Sequence, residues 1–234
     1  MSHSLVVKAA NLVRAGDIAG AEFALVSLAE TEGDRALVAV LEELPPKDLL
    51  AVIREYDTSK ESVVNLLVTP EQFARAMVME KLYGDHTHAH LRGMINAVLF
   101  RDNAQTGDFL DAIGDIDGGC EALVDYLSDR DEAVVHFAQF GTFNHYHTED
   151  SDEVERSEAS DHDWRELTWL LKHEHLDMFE QILPVLKTRL KTRLRLEAEL
   201  ENEEQQRTEL DLSEPKIVAK ETKVSLDQSE ESAL

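Results

Sequence analysis

Histidine is the residue type in this chain whose spacing most directly suggests chemistry. His86, His88 and His90 form a His-x-His-x-His run immediately after Asp85. On a helix, His86 and His90 lie one turn apart on the same face, where two imidazoles can chelate a divalent metal ion. The pattern predicts a divalent-metal site, which would be the one cofactor of this chain, with five candidate ligands: His86, His88, His90, His145 and His147.

The same histidines also fit two interpretations without a metal. Asp85 or Thr87 can cap a helix whose first turn carries solvated imidazoles. Histidines beside carboxylates can instead sense pH, because imidazole changes its charge near neutrality. No His-Glu-x-x-His motif and no cysteine pair points to a particular metal. A metal-responsive protein is therefore the alternative function.

The C-terminal third of the sequence combines a heptad-like apolar pattern with a dense basic group. Apolar residues recur there at alternating steps of three and four, a pattern typical of helices that pair with another helix: Leu176, Phe179, Leu183, Leu186 and Leu190. The basic residues alternate with neutral ones and precede an acidic run: Lys187, Arg189, Lys191, Arg193 and Arg195. We expect both sets to bind a protein partner, including a second copy through the C-terminal helix. The alternative is a solvated helix whose charges pair along its own length.

Signatures of enzymes are missing from the sequence. No glycine-rich loop that could cradle phosphate follows a predicted strand, and no Gly-x-Ser-x-Gly elbow occurs. The single cysteine, Cys120, lies in an apolar stretch that is more typical of a core than of a nucleophile. We therefore expect a non-enzymatic protein without a catalytic residue.

Composition narrows the classes of partner. The 234 residues carry a formal net charge of −25, with 30% charged and 43% hydrophobic residues. Such a surface repels nucleic acid, so we expect none as a partner. No segment approaches the roughly 18 uninterrupted apolar residues of a membrane span. With one cysteine and no apolar leader after Met1, the sequence predicts a cytoplasmic protein.

The elements that would position these residues are all predicted to be helices. Helix starts are marked by Pro46, and by capping-box pairs at Thr58 with Glu61 and at Thr69 with Gln72. No window alternates apolar and polar residues long enough for a strand. The predicted fold class is all-α, an array of short antiparallel helices, superhelical or bundle-like, plus a long C-terminal helix.

Four regions follow from the change in composition along the chain. Residues 1–147 form the helical array, and residues 148–163 are so acidic that they predict a flexible linker. Residues 164–207 predict a long amphipathic helix, kinked or divided at Pro184. Residues 208–234 are polar and charged, and we expect a disordered tail.

Two families resemble parts of this sequence. The segment Leu37-Val-Ala-Val-Leu-Glu-Glu-Leu-Pro-Pro-Lys-Asp-Leu-Leu-Ala-Val-Ile resembles one repeat of the cytoplasmic N-terminal domain of MgtE magnesium transporters, a superhelix of short helices. Residues 37–140 resemble an uncharacterised family of bacterial helical domains, through the order of Leu44 to Leu49 and Thr69 to Gln72. Both resemblances imply an all-helical fold, and neither supplies an activity. The expected function is that of a cytoplasmic adaptor or regulatory protein that binds other proteins.

Overall fold

The computed structural model describes residues 4–56, 62–84, 88–101, 104–143, 155 and 163–213, with side chains described as far as residue 205. Every regular element in these ranges is helical, so the all-α fold class is confirmed. The α-helices follow in chain order: α1 Ser4–Arg14, α2 Ile18–Glu32, α3 Asp34–Glu43, α4 Pro46–Glu55, α5 Val63–Leu67, α6 Pro70–Tyr83, α7 Ala89–Leu99, α8 Thr106–Asp115, α9 Gly119–Leu127, α10 Asp131–Phe140, α11 Trp164–His173 and α12 Leu176–Ser213. A single 3₁₀ turn, Ser128–Arg130, joins α9 to α10.

Local start signals explain where several helices begin. Pro46 occupies the first turn of α4, where its missing N–H costs no intrahelical hydrogen bond. Thr69 and Gln72 form the predicted capping box, since the Thr69 N–H donates to Gln72 Oε1 at 3.0 Å and the Gln72 N–H donates to Thr69 Oγ1 at 3.4 Å. The predicted pair Thr58 and Glu61 lies outside the described residues, and α5 begins instead at a Ser62 cap.

Helix α6 lies at the centre of the core. It packs against α4, α7, α8 and α9, so it joins the first and second halves of the array. Phe73 and Met77 of this helix are fully buried. The Phe73 ring meets Phe109 of α8 edge to face, with centroids 5.8 Å apart, an arrangement that suits the quadrupoles of both rings.

Helix α11 belongs to the same compact unit as the array, whereas the sequence predicted an array that ends at residue 147. Leu167 and Leu171 are buried, and Trp164 at its start packs edge to face on Phe143 at 5.3 Å. Phe143 in turn stacks on Phe137 of α10 at 4.2 Å. The structure places one unit at Met1–Lys191 and a second at Thr192–Leu234, so the boundary differs from the predicted one at residues 147–164. The apolar and aromatic contacts of α11 explain the difference, because they hold this helix on the array although the sequence before it is acidic.

The predicted single helix over 164–207 is divided at Glu174 and His175. The N–H groups of both residues donate to the Leu170 carbonyl, which closes α11, and the His175 carbonyl accepts from the first turn of α12. His175 Nδ1 also lies 3.2 Å from Asp111 of α8. Pro184 lies inside α12 and does not divide it. The helix is therefore broken at the turn between α11 and α12, where His175 contacts Asp111 of α8, and not at Pro184.

The second unit contributes helix up to Ser213, and its side chains from Thr192 to residue 205 are all exposed. The first six residues of the predicted tail, 208–213, belong to this helix, and residues 214–234 lie outside the described part. Within the predicted linker only Glu155 and Asp163 are described, and Asp163 caps α11 by accepting from the Arg165 N–H at 2.9 Å. Among the helices described, none combines the length and apolar character needed to cross a membrane.

Candidate functional site

Three of the five predicted metal ligands, His86, His145 and His147, lie outside the described residues. His88 precedes α7 in a left-handed backbone conformation with φ of 53°, and His90 is exposed in the first turn. Within the described ranges, no three histidine, cysteine or carboxylate side chains come together in a way that could hold a metal ion. Metal binding through this cluster stays a prediction.

The predicted apolar seam of the C-terminal helix is largely turned toward the array. Phe179 and Leu186 are buried, and with them Met178 and Ile182, which the heptad pattern did not include. Leu183 and Leu190 are half-buried, whereas Leu176 is 52% exposed. The first half of α12 therefore buries its most apolar face against other residues of the same chain. Partner binding by the seam stays a prediction.

The five basic residues of α12 divide between the two units. Arg189 Nη1 lies 2.8 Å from Asp125 Oδ1 of α9, and Asp125 is 7% exposed. Lys187 and Lys191 are exposed in the first unit. Arg193 and Arg195 belong to the second unit, where Arg195 Nε lies 3.5 Å from Glu199. Arg189 thus has an intramolecular role that its place in a basic stripe did not reveal.

A groove lies between α4 and α6 in the first unit. Residues of α4 at positions i, i+3, i+4 and i+7 face it, because that spacing forms one stripe of a helix. Met79 and Tyr83 face it from α6, one helical turn apart. The groove has a volume of about 470 Å³ and is lined by Lys47, Leu50, Ala51, Arg54, Met79 and Tyr83. Its size falls in the range of about 300–1,000 Å³ that is usual for ligand sites.

Two cations stand over the apolar floor of this groove. Lys47 is exposed in the first turn of α4, and Arg54 lies two turns further along the same helix. The Arg54 Nη2 atom lies 3.5 Å from Glu80 Oε1, and the Glu80 side chain is only 3% exposed. The buried carboxylate therefore fixes the guanidinium at the edge of the groove, while Arg54 itself keeps 36% of its side-chain exposure.

The apolar surface continues beyond the groove at the end of α6. Tyr83 is 77% exposed and the adjacent Leu82 is 64% exposed. Single exposed apolar residues are ordinary on a protein surface, but these two are adjacent and lie beside a concave apolar floor. The rim formed by Leu82 and Tyr83 is therefore part of the candidate site.

A second cavity, of about 410 Å³ between α6 and α8, has the opposite charge character. Four carboxylates and one guanidinium face it, with three small or apolar side chains: Glu71, Arg75, Asp108, Asp111, Asp115, Ala74, Ala112 and Ile116. Its Asp111 already contacts His175. An acidic cluster of this kind is a solvated face unless a bound cation is seen, and we assign it no function.

Two further reactive groups have structural roles. Burial, followed by the charge of Glu121, raises the pKa of the Cys120 thiol, which disfavours the nucleophilic thiolate. Burial lowers the pKa of Arg101. Arg101 donates to the backbone carbonyls of Asn65 and Val68 at the end of α5. These two hydrogen bonds give Arg101 a structural role.

None of the six residues that line the α4–α6 groove was predicted from the sequence. The sequence does show the α4 half of the groove as a stripe at helical spacing, with a cation at each end and apolar residues between them: Lys47, Leu50, Ala51 and Arg54. Its partner residues on α6 come 25 or more positions later. Cations that flank an apolar helical stripe are therefore the sequence signal for the α4 side of the groove.

Comparisons of the chain with protein-family models, with curated proteins and with solved structures found no match. No enzyme family or fold is therefore identified for it. The two resemblances drawn from the sequence stay predictions.

Proposed function

We propose that this protein is a protein-binding module whose α4–α6 groove takes an acidic, amphipathic segment of another protein. The observation that carries the proposal is the pair of cations, Lys47 and Arg54, over an apolar floor. Both stand in a chain whose net charge is −25. Apolar side chains of the bound segment would cover the floor, and its carboxylates would meet the two cations.

A helical or extended protein segment suits this surface better than a small molecule. The apolar area extends past the groove onto Leu82, which a ligand confined to the groove would leave exposed. A peptide segment of two or three turns covers both parts, and helices commonly bind in grooves through residues at i, i+3, i+4 and i+7.

The overall charge of the protein adds specificity to this recognition. The net charge of −25 makes most of the surface repel acidic partners, and Lys47 and Arg54 offset that repulsion at the groove. Discrimination by repulsion outside a small attractive site is a common device in specific interfaces. The expected partner is thus acidic only along the segment that enters the groove.

The role that fits this site is that of a non-enzymatic adaptor or regulatory protein, and we propose a cytoplasmic setting. The lining of the groove offers two cations, one phenol and apolar side chains, with no histidine, cysteine or serine to act as base or nucleophile. The single cysteine of the whole chain supports a reducing compartment.

A photo-crosslinking experiment tests the proposal. The crosslinking amino acid benzoylphenylalanine replaces Leu82 at the rim, and in a matched control it replaces Phe23 of α2, which is 70% exposed. After irradiation in cells, we expect the Leu82 probe to attach to an acidic, amphipathic segment of another protein. The Phe23 probe should not attach to that segment.

Charge reversal then tests the part played by the groove. Lys47→Glu in the Leu82 probe should remove most of the crosslinked product, because it places a like charge against the bound carboxylates. Lys8→Glu, at an exposed position of α1, is the matched control and should leave the product unchanged. A crosslinked segment that is basic or purely apolar, or one that survives Lys47→Glu unchanged, would contradict the proposal. A small-molecule adduct in place of a peptide would contradict it as well.

A further inference from the structure

The charges of α12 are arranged with opposite signs on the two sides of Leu196. Four of the five cations before Leu196 in α12 have a glutamate at the same distance after it: Arg195 and Glu197, Arg193 and Glu199, Lys191 and Glu201, Arg189 and Glu203. The first two pairs lie wholly within the second unit. A solvated helix requires no such order, since charges in any arrangement keep it soluble.

Exposed leucines lie at the centre of this charge pattern. Leu194 is 50% exposed, Leu196 49% and Leu200 61%. Leu196 and Leu200 are one helical turn apart and therefore share a face. Every described side chain of the second unit is exposed, so nothing within that unit covers these leucines.

We propose that two copies of this chain associate through antiparallel α12 helices, with the two-fold axis at Leu196. In that register Arg193 of one copy lies on the same flank of the seam as Glu197 of the other, and Arg195 lies on the same flank as Glu199, each two residues apart along the helix axis. The two Leu196 side chains meet on the axis, with Leu200 close to Thr192 of the other copy. The contact is isologous, so it closes after two copies and does not form a filament.

The orientation follows from the charges. A parallel pair places each residue beside its own copy, which brings Arg193 against Arg193 and Glu199 against Glu199. Like charges across a helical seam are destabilising, and opposite charges set both partner choice and orientation. Only the antiparallel pair brings the basic half of the helix beside the acidic half of the other copy.

The ion pair between Arg195 and Glu199 within the second unit does not oppose this association. Arg195 and Glu199 are 3.5 Å apart, with side chains 71% and 60% exposed. Exposed pairs one turn apart contribute little to stability, so exchanging them for contacts with a second copy costs little. The proposal does not rest on the α4–α6 groove, which lies in the other unit.

Sedimentation and light scattering on the full-length chain test the association. We expect wild type to approach twice the monomer mass of 26.4 kDa as concentration rises. The double variant Arg193→Glu, Arg195→Glu should raise the dissociation constant by about tenfold or more, because it places glutamates against glutamates. Adding Glu197→Lys and Glu199→Lys to the same chain should restore the dimer at unchanged net charge. Wild type that stays monomeric at every concentration, or a double variant as dimeric as wild type, would overturn the proposal.

Disulfide trapping tests the register and orientation in a Cys120→Ala background. Leu196→Cys should form a covalent dimer on mild oxidation, because the two cysteines meet at the axis. Glu203→Cys should not, since two copies of that position lie about 21 Å apart along the antiparallel pair, fourteen residues at about 1.5 Å each. Equal trapping at both positions would indicate a parallel pair and would overturn the proposal. The groove variant Lys47→Glu should leave the dimer mass unchanged, which separates this test from that of the proposed function.

Discussion

The contact between Arg189 and Asp125 should hold the first half of α12 on the array. The Asp125 side chain is 10% exposed, whereas the Arg189 side chain is 45% exposed, and their closest atoms are 2.8 Å apart. Fully exposed ion pairs contribute about 0.2–1 kcal/mol. Removing one partner of a fully buried pair costs about 3–5 kcal/mol. The intermediate burial here places the cost of Arg189→Ala at about 2 kcal/mol of unfolding free energy.

Urea and thermal unfolding of a double-mutant cycle measure this cost directly. Arg189→Ala leaves a nearly buried carboxylate without its guanidinium, and we expect a midpoint temperature lower by about 4–8 °C for a chain of this size. Arg189→Ala combined with Asp125→Ala should lose about 1 kcal/mol less than the two single losses together, because no charge is then left buried. Hydrogen exchange should rise over residues 176–191 in Arg189→Ala. Lys187→Ala, an exposed position two residues earlier, should change neither quantity.

A coupling energy below about 0.3 kcal/mol would refute this reasoning, since distant and independent sites give values of that size. Unchanged exchange over residues 176–191 would show that apolar contacts of Met178, Ile182 and Leu186 hold the helix without the ion pair.

Three further predictions concern single positions. Arg101→Leu should lower the unfolding free energy by about 2 kcal/mol in chemical denaturation, because two carbonyls at the end of α5 lose a charged donor. Thr69→Ala should cost about 1 kcal/mol by removing the capping box, and Thr69→Ser should stay near wild type. Burial raises the pKa of Tyr126 above its ordinary value of 10.0, so the folded state holds this proton more tightly than the unfolded state. Stability should be intact below pH 10 and should fall by up to about 1.4 kcal/mol per pH unit above it, and Tyr126→Phe should remove that part of the slope.

The start signals of the first helices were sufficient to predict those elements from the sequence. Pro46 and the Thr69–Gln72 box depend only on contacts within a few residues, and the structure places both as predicted. The packing of α11 could not be predicted in the same way. It depends on Trp164 reaching Phe143 across 20 positions of an acidic sequence, and composition carries no information about such a contact.

The C-terminal helix shows why the heptad pattern selected only part of its buried face. The pattern identified Phe179 and Leu186 but missed Met178 and Ile182, because a helix that packs on an array buries a wider face than a two-helix seam. The α4–α6 groove was missed for a related reason. Its two sides come from helices separated by α5, and their approach is a property of the tertiary structure.

Binding of the crosslinked partner segment to the groove tests the central claim most directly. The segment recovered with the Leu82 probe would be synthesised, labelled and titrated with the full-length protein by fluorescence anisotropy. We predict that Lys47→Glu weakens binding by about 5- to 30-fold, which corresponds to about 1–2 kcal/mol, and more at low salt than at high salt. Lys8→Glu should bind as wild type does. Equal affinity for wild type, Lys47→Glu and Lys8→Glu would show that the segment binds elsewhere and would contradict the account.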